Sequence, residues 1–190
     1  GRIYSLEKIL ISQDPNRNKM AYPTVNWFDE LLEEYTLNSR FNFSLSGGGK
    51  IARYYLASTV NTDNGNLKVD PRNNFNNNIN FKRVSLRSNI NVNLTKSTTV
   101  ALKFNGNFDD YNGPLDGGAE VYQKAMKANP VLYPKFYEPD LQFQNSNHIL
   151  FGNAGQFGDF LNPYADLMRG YKDESYNNFL ATVEIKQDLG

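Results

Sequence analysis

The sequence predicts an all-β fold of about five antiparallel strands, each apolar on one face and polar on the other. Three features carry that reading: alternation of side-chain character in five separate runs, a very short glycine turn between the first two, and connections that alternate between tight and long. Successive side chains of a strand point to opposite sides, so alternation divides a sheet into two chemically distinct faces. A soluble sandwich and a membrane barrel both satisfy this pattern. What meets the apolar face separates them.

Residues 1–22 read as polar and irregular, apart from an apolar patch at Ile9, Leu10 and Ile11. A short amphipathic helix is predicted over 27–35, where Trp27, Leu31, Leu32 and Tyr35 share one stripe. Asn26 is placed to cap it, and Asp29 and Glu30 stand in the first turn, where the helix dipole favours acids. In the first strand Phe41, Phe43 and Leu45 oppose Asn42, Ser44 and Ser46. After the turn Gly47-Gly-Gly-Lys50, the second strand (51–62) sets Ala52, Tyr54, Leu56 and Val60 against Arg53, Tyr55 and Thr59. The third (79–94) carries Val84, Leu86, Ile90, Val92 and Leu94 on one face, and Arg83, Ser85, Arg87, Asn89, Asn91 and Asn93 on the other. The fourth (98–110) opposes Val100, Leu102, Phe104 and Phe108 to Lys103, Asn105, Asn107 and Asp109. The fifth (176–188) opposes Phe179, Ala181, Val183 and Ile185 to Asn178, Thr182, Glu184 and Lys186.

The turns at 47–50 and 95–98 are tight, whereas the links at 63–78 and 111–175 are long. Short turns at one end and long loops at the other mark outer-membrane barrels. The longer link carries its own helix at 118–128. Asparagine, with 27 residues, concentrates in 61–80, which reads as a solvated turn-rich loop or a disordered tract. No internal repeat and no Ser/Pro linker marks a domain boundary.

Composition narrows the function classes. Among 190 residues, 20 basic side chains balance 20 acidic ones, which gives no electrostatic reason for a nucleic-acid partner. The chain has no cysteine and one histidine, His148, so no His/Cys metal cluster can be assembled. His148 reads as an exposed loop residue without an orienting partner for catalysis. Aligned on Gly65 or Gly113, the acidic loops around Asp63, Asp70, Asp109, Asp110 and Asp116 fail the calcium-loop pattern at its first and twelfth positions. No helix follows Gly47-Gly-Gly to supply the amides of a phosphate cradle. No cofactor is expected. No run approaches the ~20 apolar residues of a spanning helix, and no charged and apolar leader opens the chain.

Several short motifs occur together in order: Trp27-Phe-Asp-Glu-Leu31, Asn42-Phe-Ser-Leu-Ser-Gly-Gly48, Tyr54-Tyr-Leu-Ala-Ser58, Phe81-Lys-Arg-Val-Ser-Leu-Arg87, Asn129-Pro-Val-Leu-Tyr-Pro134 and Asn162-Pro163. In order and spacing they resemble the SusC-type TonB-dependent transporters of Bacteroidetes, over nearly all of residues 22–189. The turn at Asn61-Thr-Asp-Asn-Gly65 departs from that family's acidic one. The resemblance implies five consecutive strands of a large transmembrane β-barrel in the bacterial outer membrane. It places an outer loop with a short helix at 1–39, four strands at 40–110, a long outer loop at 111–175 and the fifth strand at 176–190. Five strands cannot close, so the remaining barrel strands would come from elsewhere in the same protein.

The same resemblance implies import of a nutrient oligomer, glycan or peptide, beneath a SusD-like surface lipoprotein. Energy would come from TonB through a plug region that this chain lacks, and no bond would be made or broken, so no enzyme is expected. The apolar face would meet outer-membrane lipid. Arg83, Arg87, Asn89, Asn91, Lys103, Asn105 and Glu184 would face the lumen. In the long loop, rich in aromatics (Tyr111, Tyr122, Tyr133, Phe136, Tyr137, Phe143, Phe151, Phe157, Phe160 and Tyr164), most rings should pack internally. Tyr111, Asn112, Pro114 and Leu115 at the strand exit are the expected contacts with substrate or lid. The alternative is a soluble or surface-attached β-sandwich that binds glycans or acts as an adhesin.

Overall fold

The computed structural model describes residues 4–154 and 161–189. In chain order its elements are α1 (Leu6–Gln13), α2 (Trp27–Leu31), β1 (Ser39–Gly48), β2 (Ala52–Asn64), β3 (Asn80–Asn93), β4 (Thr98–Pro114), α3 (Gly118–Lys127), β5 (Phe136–Tyr137), β6 (Leu150–Phe151), α4 (Pro163–Leu167) and β7 (Tyr171–Gln187). They sort into two compact units whose segments alternate along the chain: 35–65, 78–113 and 172–189 in one, and 4–34, 66–77, 114–154 and 161–171 in the other. Because the chain passes repeatedly from one to the other, no linker composition marks the division.

The first unit is a five-stranded antiparallel sheet in the order β1-β2-β3-β4-β7. Gly48 makes its first hairpin possible. The residue adopts φ +146°, and a Cβ there would stand 2.4 Å from the Ala52 carbonyl oxygen. Only glycine occupies that region without strain. The register aligns the apolar residues in rows: Phe41, Val60, Val84 and Phe108; Leu45, Leu56, Ser88 and Phe104; Tyr54, Ile90 and Leu102. Phe179 stacks on Phe104 with ring centroids 6.2 Å apart, so β7 continues this face. In the row Phe43, Ser58, Leu86 and Gly106, large and small residues alternate.

This apolar face is open to solvent. Phe43, Leu45, Leu56, Leu86, Phe104, Val183 and Ile185 are each 39% to 71% exposed. Among the described residues the sheet has free edges at β1 and β7, and no closed barrel forms. β4 and β7 run to 17 residues each, well beyond the alternating runs that mark them in sequence. Their extension is held by Asn112 Nδ2 donating to Asp173 Oδ1 (2.6 Å) and Ser175 Oγ donating to Asp110 Oδ1 (2.6 Å). Tyr111, Asn112 and Pro114 are therefore strand residues, not the start of a loop.

The second unit is a small core of helices around one aromatic pair. Trp27 and Tyr133 are buried with ring centroids 5.8 Å apart, and the Trp27 indole N–H donates to the Asn129 carbonyl at 3.2 Å. Leu31, Leu67, Val121, Ala125, Tyr164 and Leu167 complete the core. Asn162 is a buried hub: its Oδ1 accepts from the Tyr164 and Ala165 N–H groups, and its Nδ2 donates to the Lys135 and Gly152 carbonyls. That single side chain caps α4 and ties it to the ends of the β5–β6 ribbon. Lys124 on α3 holds Asp116 (2.7 Å) and Asp166 on α4.

Three expectations are corrected in this unit and its borders. The helix predicted over 27–35 stops at Leu31, although Asn26 does cap it, accepting from the Phe28 N–H at 3.2 Å. Leu32 is extended and bridges Leu67, while the Leu31 carbonyl accepts from the Lys68 N–H at 2.8 Å. Pairing with 66–68 replaces the next helical turn, and Tyr35, 85% exposed, lies off the stripe. Residues expected to be irregular form α1, whose N-cap Ser5 accepts from the Lys8 N–H at 3.2 Å. The asparagine tract is neither fully solvated nor unstructured. Residues 61–64 complete β2, and Asn77 is wholly buried with its Nδ2 donating to the Leu167 carbonyl at 2.7 Å. Asparagine amides here replace missing backbone partners.

Candidate functional site

The polar face of the sheet is the larger of two candidate regions. Register places Arg83 opposite Asn61 and Asp109, Arg87 opposite Ala57 and Asn105, Asn89 opposite Tyr55 and Lys103, and Asn91 opposite Arg53 and Ala101. Lys103 Nζ donates to Glu184 Oε1 across to β7 at 2.6 Å. The residues expected to line a lumen thus share one face and are brought together, although they come from three strands.

Two kinds of cation occupy that face. Arg83 is held by Asp109 in a bidentate fork (2.7 and 2.5 Å), and Lys103 by Glu184. Such exposed pairs contribute little to stability, but they fix side-chain direction. Arg53 and Arg87 have no carboxylate partner among the described residues. Beside Arg87 a depression of about 360 Å³ is lined by Tyr55, Thr59, Ser85, Asn105 and Asn107. Thr59 donates to Asn42 Oδ1 (2.9 Å) and Ser85 to Asn107 Oδ1 (2.7 Å), so its polar rim is ordered. Sequence reasoning did not select Tyr55, Thr59 or Asn107 as site residues. The signal was present, since each has the same parity as its neighbours on the polar face.

The strand-exit residues are divided between the two units. In the sheet unit, Tyr111 pairs with Phe81 and its hydroxyl lies over Gly113, while Asn112 is engaged by Asp173. In the helical unit, Pro114 is buried and Leu115 is 40% exposed, packing on Gly170. Of the loop aromatics, Tyr133 and Tyr164 are buried, and Phe136 and Phe151 pack on Tyr164 at 6.0 and 5.8 Å. Phe143 and Tyr122 are about half exposed, the latter against Phe28. Phe157 and Phe160 lie outside the described residues. The acidic residues considered for calcium are dispersed: Asp109 serves Arg83, Asp110 serves Ser175, Asp116 serves Lys124 and Asp70 serves Tyr164. His148 is exposed.

Electrostatics are most strongly organised in the helical unit. Burial pushes the Asp70 carboxyl up. The Tyr164 hydroxyl (2.6 Å), the Arg72 N–H (2.9 Å) and the Arg72 guanidinium together outweigh it and hold the group below the usual carboxylate range. Burial and the Asp70 carboxylate raise the Tyr164 hydroxyl far above its ordinary value, so it remains a donor. The Arg72 guanidinium sits 4.0 Å over the Phe136 ring. Among known proteins, no family model and no curated protein matches this chain.

Proposed function

We propose that this chain is part of an outer-membrane transporter of the TonB-dependent, SusC-like kind, importing a nutrient oligomer with a SusD-like lipoprotein. The observation that carries the reading is the continuous apolar face, solvent-open along the sheet and backed by a face of Arg, Lys, Asn and Glu. A patch of that extent on a soluble monomer would be an aggregation hazard, whereas lipid satisfies it. β2, β3, β4 and β7 each exceed the 9–11 residues that a tilted strand needs to cross a bilayer. No described helix is long and apolar enough to cross a membrane, which leaves strand crossing unaddressed. The order of short motifs adds the resemblance to the transporter family. In this reading the polar face lines the lumen, the 47–50 and 95–98 turns are periplasmic, and the reaction is translocation without covalent chemistry.

Flotation of the protein on a sucrose gradient with outer-membrane lipid vesicles tests the proposal. Co-flotation that survives high salt and alkaline washing is expected. Recovery as a detergent-independent soluble monomer would overturn it in favour of a sandwich whose second sheet lies elsewhere. The lid assignment has a separate test. Removing residues 140–160 from the transporter should weaken lipoprotein association or uptake while assembly persists, and unchanged association and uptake would refute it.

A further inference from the structure

On the polar face of the sheet unit, Arg87 stands beside a space that the sequence itself opens. Its row across the strands reads Ser44, Ala57, Arg87 and Asn105, so β1 and β2 contribute only small side chains there. Tyr55 and Thr59 flank Ala57 on the same face. The result is the depression of about 360 Å³, within the roughly 300–1,000 Å³ of small-ligand sites. Arg87 is the only charged residue lining it, and the carboxylates Asp109 and Glu184 of the same face are engaged by Arg83 and Lys103. The remaining lining is polar and neutral apart from Ala57 and Leu86, and the Leu86 side chain belongs to the opposite face by strand parity. Among the described residues, the Asn105 amide, Asn107 Nδ2 and the Tyr55 hydroxyl have no protein partner.

The arrangement recurs along the face. A second depression, of about 300 Å³, is lined by Ile51, Arg53, Asn91, Asn93 and Thr99, again with one arginine as its only charge. Arg53 pairs with Asn91, four residues along β3 from Arg87. At ~3.3 Å per residue and ~4.8 Å between strands, the two arginines are rooted about 14 Å apart. A guanidinium offers a planar fork that fits a carboxylate bidentately, and neither arginine spends its fork on a protein carboxylate. Amides and hydroxyls both donate and accept, which suits the neighbouring hydroxyls of a sugar ring. We propose that this face binds an acidic oligosaccharide, with uronate carboxylates at Arg87 and Arg53 and sugar hydroxyls on the adjoining asparagine amides. An acidic peptide supplies the charge without the hydroxyls. Both arginines are exposed, so each contact is worth little alone and the affinity is modest. The inference rests on the transport reading, since it names the class of oligomer that passes over the polar face.

The test begins by floating the full chain with outer-membrane lipid vesicles. Whichever form results, inserted or soluble, is titrated calorimetrically with trigalacturonate, its methyl ester and N-acetyl-triglutamate amide. Failure to float counts against the transport reading, whereas the titration alone decides the site. Saturable binding of trigalacturonate at or below roughly 10 mM is expected, with the ester and the peptide each at least about tenfold weaker. Arg87→Gln should weaken trigalacturonate about threefold, and Arg53→Gln with Arg87→Gln about tenfold. Lys82→Gln removes the same charge from the opposite face and should stay within about twofold of the parent. Equal binding of the ester or the peptide, no saturation, or an unchanged affinity in a folded double variant would overturn the proposal. The ester comparison uses the unaltered chain, so it decides the matter whatever the substitutions do to folding.

Discussion

Substituting Leu86 with arginine separates lipid from water as the surroundings of the apolar face. β3 runs from 80 to 93, so Leu86 stands 6 residues from one end and 7 from the other, between Ser58 of β2 and Gly106 of β4. At ~3.3 Å per residue the nearer end is about 20 Å away along the strand. A tilt of ~40° converts that to a depth of about 15 Å, half the thickness of a bilayer's hydrocarbon core. Leu86 therefore belongs at the midplane of a spanning sheet, where an arginine costs ~2–4 kcal/mol. In water the cost is different. Leu86 is 43% exposed, so the change forfeits just over half of a leucine's ~1.5–3 kcal/mol of burial, and the arginine stem regains part of it, leaving ~1 kcal/mol or less. Asn89→Arg, three residues on and on the polar face, should fall within ~0.5 kcal/mol of the parent in either setting. Urea titration of the protein folded into lipid vesicles reads both variants. A Leu86→Arg cost no greater than that of Asn89→Arg would refute lipid exposure of this face.

Three further outcomes follow from the packing. Tyr133→Ala should cost ~3–5 kcal/mol by removing a fully buried ring, and should red-shift the emission of Trp27, the only tryptophan. Gly48→Ala should destabilise the first hairpin by ~1–3 kcal/mol, because its φ is +146° and a Cβ would meet the Ala52 carbonyl. Gly49→Ala meets nothing within 4 Å and should be close to neutral, and thermal melting reads both variants. Burial raises the Asp166 carboxyl, but Lys124 and Arg169 outweigh it and set the group below 3.8 when folded. Its contribution is therefore fully present above that value and lost as pH falls through the depressed folded value. Asp166→Asn should lower stability at neutral pH by ~1–3 kcal/mol and flatten the acid limb of a melting-temperature profile.

The faces of the sheet were legible in sequence because chain parity alone decides them. Phe43 and Leu45 share a side with Leu56 once the turn at Gly48 sets the register, and no distant residue can reverse that. Helix α3 was legible for a similar reason, since its stripe and its bounds are local. Strand ends were not. β4 reaches Pro114 and β7 begins at Tyr171 because Asn112 finds Asp173, a partner that enters only when the two strands pair. The end of α2 depended on Leu67 and Lys68, which offer Leu32 and Leu31 an alternative to the next turn.

What the sequence determined by itself is the two-faced sheet, its tight turns and the chemistry of each face, since those follow from nearest neighbours and a period of two. Tertiary structure decided the rest. It buried Asn77 inside a tract whose composition predicts solvation, by giving its amide the Leu167 carbonyl. It divided the cations of the polar face into held and free ones, through Asp109 and Glu184. It also brought Glu30, Asp70, Lys135 and Tyr164, from four separate stretches of the chain, around one cavity, an arrangement that no local pattern encodes.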